Sequence, residues 1–145
     1  MTEQEIRDLL IAARTIAVVG LSDKPQRPSY GVAGYLQQAG YQIIPVNPNL
    51  RGPVHGVAPV ASLREIQVPV DIVQIFRRPE YVPGVVEDAI TIGAGAIWMQ
   101  LGIVHEEAAA RAAAAGLKVV MDSCMAVMHR RLIPRAARPV SAGGG

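Results

Sequence analysis

The chain has 145 residues, enough for one domain with its own core, and half of them are apolar while 18% are charged. The net charge is +2, with a single Phe, a single Trp and no interleaving of aromatic with basic residues, which argues against a nucleic-acid surface. No apolar run reaches the length of a membrane span, the first ten residues lack the order of a signal peptide, and Cys124 has no partner for an internal disulfide, so the expected location is the cytoplasm.

Taken in chain order, residues 3–13 place Ile6, Leu9, Leu10 and Ala13 at helical spacing behind Thr2, a natural N-cap. Thr15–Val19 is a short β-branched run and reads as a buried strand. Residues 29–38 read as a helix stopped by Gly40 and begun at Ser29, a cap or a phosphate donor. Residues 41–46 form the second strand, 47–59 a loop rich in Pro and Gly, and 63–66 a single helical turn. Residues 70–76 are the third strand. A helix follows over 80–92, with Pro83 in its first turn. Residues 96–100 are the fourth strand, 105–115 an alanine-rich helix, 117–121 the last strand and 124–131 a closing helix. Residues 134–145 have no apolar period and are expected to be a disordered tail on a single domain spanning 1–133.

Continuous apolar strands alternating with helices predict an α/β fold: a Rossmann-like, doubly wound, mainly parallel five-stranded sheet with helices on both faces. Ligands of such sheets bind at the carboxyl ends of the strands, where strand order reverses. Those ends hold Gly20, Leu21, Ser22 and Lys24; Asn47 and Pro48; Arg77 and Arg78; Gln100 and Gly102; and Asp122, Ser123 and Cys124. Gly20, the helix start near Ser29, Lys24 and Arg27 make a phosphate loop. It is not the three-glycine turn of a dinucleotide site, and no acid follows the second strand to hold a ribose. A nucleotide with several phosphates fits better, and a 3′-phosphorylated ribose seeks Lys or Arg.

The segments GLSDKPQRPSYGVAGYL, IIPVNPN, VDIVQIFRRPEYVP, AIWMQLGI and GLKVVMDSCM, in this order, resemble the small stand-alone CoA-binding proteins, themselves similar to the CoA-binding domain of the succinyl-CoA synthetase alpha subunit. The resemblance spans residues 3–132. It implies coenzyme A, or an acyl-CoA, bound non-covalently at the strand ends. Carried over by motif, Gly20, Leu21, Ser22, Lys24, Ser29 and Tyr30 form the phosphate side. Val46, Asn47 and Pro48 line the adenine-ribose side, Phe76, Arg77 and Arg78 flank the nucleotide, and Met99 and Gln100 close the pocket near the pantetheine. The family often carries a basic residue where Gly31 stands and an arginine where Ser123 stands.

The residues show no catalytic constellation and no metal-ligand spacing. His55, His105 and His129 read as surface or structural histidines, Asp71 as a structural contact, and Glu87 and Asp88 as solvated. Cys124, after the last strand, is either a small buried residue or a redox thiol able to form a mixed disulfide with CoA. Two alternatives stay open: a component of an acyl-CoA ligase or transferase working with a separate catalytic partner, and an NADP-binding regulator. Whether the chain forms a homo-oligomer is open too. Two substitution effects are expected from sequence. Changing Arg77 and Arg78 together weakens CoA more than dephospho-CoA. Gly20→Val blocks binding while leaving a folded protein.

Overall fold

The computed structural model describes residues 1–133; the expected tail lies outside them. Five parallel strands form one sheet: β1 (Thr15–Val19), β2 (Gln42–Val46), β3 (Ile72–Ile75), β4 (Ala96–Met99) and β5 (Lys118–Val120), in the order β2-β1-β3-β4-β5. This is the expected Rossmann-like α/β architecture. The strand order reverses between β1 and β3, where Val19 lies beside Ile75.

Two apolar layers sandwich the sheet. On one face α1 (Glu3–Ala12), α2 (Pro28–Gln38) and α5 (Met125–Leu132) cover Ile16, Val18, Ile72 and Trp98. On the other, α3 (Val82–Thr91) and α4 (Glu106–Ala114) cover Ala17, Val73, Ile75, Ile97 and Met99. Alternation along each strand sends neighbouring residues to opposite layers, so both faces need apolar side chains and the strands read as unbroken apolar runs.

Some element limits differ from the sequence reading for local reasons. α2 begins at Pro28, which lacks the N–H that a first helical position leaves unpaired anyway. Ser29 is therefore not the cap. The expected helix over 80–92 divides into a 3₁₀ turn at Pro79–Tyr81 and α3, with Pro83 in the first turn of α3.

The amino ends of the central strands are tied together by a side chain. Asp71 Oδ2 accepts from the Arg14 and Thr15 N–H groups at 2.8 and 2.9 Å, anchoring the start of β1 to the start of β3. At the amino terminus Thr2 Oγ1 accepts from the Glu5 N–H, and the Glu5 carboxylate accepts from the Thr2 N–H at 3.2 Å. This capping box holds the Glu5 carboxyl below its ordinary value, chiefly through the Thr2 backbone N–H and then the Thr2 side chain. A depressed carboxylate stabilises the fold above its unfolded value, and that contribution disappears as pH falls through the lowered one. Thermal melts of Glu5→Gln and the parent chain are expected to differ at neutral pH and to converge in acid. A gap that persists in acid rejects an ionic role for Glu5.

Candidate functional site

At the reversal of strand order, β1 ends in Gly20, whose N–H donates to the Val46 carbonyl at 2.9 Å. Gly20 has φ +86°, and a Cβ placed there would lie 2.6 Å from the Phe76 carbonyl oxygen. The first loop thus runs against the backbone that leaves β3, closer than a side chain allows. Gly20→Val therefore strikes the fold as well as the site, which corrects the expectation that the protein is left intact.

Around this junction lie three adjoining clefts. The first, about 330 Å³, is lined by Gly20, Val46, Asn47, Pro48, Phe76 and Arg77, together with Ser62, Leu63, Val85 and Asp88. The second, about 340 Å³, holds Gly20, Ser22, Lys24, Arg27, Ser29 and Phe76. The third, about 430 Å³, is mostly apolar; Pro28, Val32, Leu101 and Ile103 line it beside Phe76, Arg77, Arg78, Gln100 and Cys124. Phe76 lines all three.

The loop of the second cleft is organised by its two serines. Ser29 is buried, and its Oγ accepts from the Ser22 N–H at 2.9 Å; Ser22 Oγ accepts from the Lys24 N–H at 3.0 Å. Each hydroxyl keeps its proton to donate. Arg27, at the N-cap of α2, makes no side-chain capping bond, so the positive end of the helix dipole is open to an anion. Lys24 and Arg27 are exposed cations at its mouth. In the first cleft Asn47 is fixed from both ends: its Nδ2 donates to the Leu21 carbonyl and its Oδ1 accepts from the Asn49 N–H. Arg77 stacks on the Tyr81 ring at 4.2 Å, whereas Arg78 is exposed and lies 3.8 Å from Glu80.

Three residues named from sequence do not line these clefts. Leu21 and Met99 are wholly buried in the two apolar layers. Tyr30 packs its ring on His55, whose Nε2 donates to the Tyr30 carbonyl at 2.7 Å. Gln100 does line the third cleft, and its Oε1 also accepts from Gln74 Nε2 and the Met125 N–H, both at 3.0 Å. Glu87 is exposed, as the sequence reading had it, whereas Asp88 is half-buried; both are ion-paired. Glu87 pairs with Arg111, and Asp88 with Arg64 at 2.8 Å. The histidines are engaged structurally: His105 caps α4 through Nδ1, and buried His129 meets the Tyr35 hydroxyl.

A junction glycine, a cationic loop at an open helix start and an apolar cleft beside it are the parts of a nucleotide site. The sequence profile described as the CoA binding domain matches residues 14–130. The chain belongs to the CoA-binding domain family. It is 46% identical over 128 residues to YneT of Bacillus subtilis (strain 168), covering 88% of this chain and 94% of that protein. A hypothetical protein from Pyrococcus horikoshii OT3 superimposes with a TM-score of 0.88 at 36% identity, over 91% of this chain and 92% of the other. The acetyl-coenzyme A synthetase 1 of Ca. Korarchaeum cryptofilum shares the fold, at a TM-score of 0.70 and 22% identity, over 79% of this chain and 27% of that one. Among the described residues no helix of this CoA-binding domain is long and apolar enough to cross a membrane, and no group of three or more His, Cys, Asp or Glu is placed to hold a metal ion.

Proposed function

We propose that this domain binds coenzyme A, or an acyl-CoA, across the three clefts, and that binding rather than catalysis is its own contribution. The observation that carries this reading is the meeting of three different chemistries at Phe76. The first cleft suits a purine and its ribose. The second supplies serine hydroxyls, two cations and a helix start for phosphates. The third offers an apolar channel for the pantetheine arm. The backbone at Gly20, too close to β3 to carry a side chain, lets the phosphate chain cross from the first cleft to the second.

The 3′-phosphate separates CoA from other adenine nucleotides, and the two arginines after β3 are not equivalent towards it. Arg77 lines the first cleft and is half-buried; Arg78 reaches only the third and is exposed. Calorimetry on ligand-stripped protein with CoA, acetyl-CoA, dephospho-CoA, NAD and NADPH is expected to show micromolar binding of CoA. Arg77→Ala is expected to weaken CoA about tenfold or more while leaving dephospho-CoA within about threefold, as loss of a charged hydrogen bond dictates. Arg78→Ala is expected to change neither by more than about threefold. Equal losses for both ligands in Arg77→Ala reject the 3′-phosphate role. Binding of NADPH without CoA rejects the proposed ligand.

A further inference from the structure

We infer that Ser62 and Asp88 read the base of the bound nucleotide and select adenine over a 6-oxopurine, an inference that rests on CoA being the ligand. Both residues line the first cleft, yet they come from distant elements. Ser62 precedes the 3₁₀ turn Leu63–Glu65, and Asp88 lies midway along α3. Arg64 joins them. Its backbone N–H donates to Ser62 Oγ at 3.2 Å, and its Nε donates to Asp88 Oδ1 at 2.8 Å.

The hydrogen-bond inventory of this pair matches one base edge. Ser62 already accepts from Arg64, so its hydroxyl proton is free to donate. Asp88 Oδ1 accepts from Arg64, and what the carboxylate has left to offer a base is acceptors alone. A donor and an acceptor lining one cleft suit the adenine edge, where N1 accepts and the 6-amino group donates. A hypoxanthine edge puts the O6 carbonyl against the carboxylate, two acceptors facing each other. Guanine carries the same O6 carbonyl and meets the same opposition.

Charge places the pair at the base end of the cleft. A carboxylate repels the ribose 3′-phosphate, so Asp88 cannot serve the ribose of CoA. Arg77 lines the same cleft and suits that phosphate. Arg64 offsets the Asp88 charge and keeps the cleft acceptable to a polyanion.

The test is calorimetry with CoA and its deaminated analogue, in which hypoxanthine replaces adenine. The parent chain is expected to prefer CoA at least tenfold. Asp88→Asn presents an amide that can turn its N–H₂ towards O6; the preference is expected to fall below threefold or to reverse. Ser62→Ala is expected to weaken CoA without improving the analogue. Thermal melts accompany each variant, and Asp88→Leu, which has no polar group to offer, is expected to weaken CoA and to improve the analogue by removing the acceptor that faces O6. Equal binding of both ligands by the parent chain, or an undiminished preference in both Asp88 variants, overturns base reading while leaving CoA binding intact. Absence of CoA binding by the parent chain overturns both readings.

Discussion

Gly20→Ala is expected to lower the melting temperature by about 10 °C and to weaken CoA in whatever folded protein remains. Two costs add. A residue with a Cβ at φ +86° is strained by roughly 1–3 kcal/mol. The new methyl also meets the Phe76 carbonyl oxygen at 2.6 Å, a backbone atom that cannot rotate aside. A combined loss of about 3 kcal/mol corresponds to a shift of this size in a domain of this length. The loop can relieve the clash only by moving away from the end of β3, which separates the first cleft from the second. Differential scanning fluorimetry reads the first effect and calorimetry the second. A shift under about 2 °C would show that the loop is not wedged there, and unchanged affinity would remove the ligand path across Gly20.

Gln100→Leu is expected to cost about 3–5 kcal/mol, while Gln74→Met, one strand away, is expected to cost less than about 1 kcal/mol. The contrast follows from which atoms lose a partner. Gln100 Oε1 accepts from the Met125 N–H at the start of α5 and from Gln74 Nε2. Its removal leaves two buried donors unsatisfied, each worth roughly 1–3 kcal/mol. Gln74 is wholly buried, and among the described residues its Oε1 has no hydrogen-bond partner. Replacing it with a thioether of similar volume removes that acceptor and leaves the Gln100–Met125 bond in place. The double variant is then expected to cost less than Gln100→Leu alone, because one of the orphaned donors is gone. Urea denaturation of the three proteins measures this cycle. Equal losses in both single variants would mean that the amide pair is held by something other than these bonds.

The strands were legible because the sheet is covered on both faces, and two-sided burial writes itself as unbroken runs such as TIAVV and AIWM. The strand-end rule then led to Gly20, Asn47 and Arg77, since those positions follow from chain order alone, and the family resemblance added Phe76. Alternation divides two residues that the resemblance placed together. Ile97 and Met99 share one layer, Trp98 and Gln100 face the other, and only the second parity reaches the third cleft. Counting in twos from Trp98 would have separated Met99 from Gln100. Ser62 and Asp88 carried no such signal. They reach the cleft from a 3₁₀ turn and the middle of a helix, through an ion pair 24 residues apart in sequence. Asp88 in a helical pattern looks like any solvated acid until α3 is docked on the sheet. Gln74 was equally hidden, a polar residue inside a run of apolar ones.

Phe76 borders all three clefts, and this has a consequence for any molecule long enough to fill them. Such a molecule surrenders its translational freedom once, on first contact, and each later portion then finds its cleft at the high effective concentration set by a short tether. Two separate fragments, one for each end, surrender that freedom twice. A site of this shape would weigh a whole ligand against its pieces. Affinity for the intact molecule is expected to exceed what its halves report separately, and hydrolytic fragments at comparable concentration are expected to compete poorly with it.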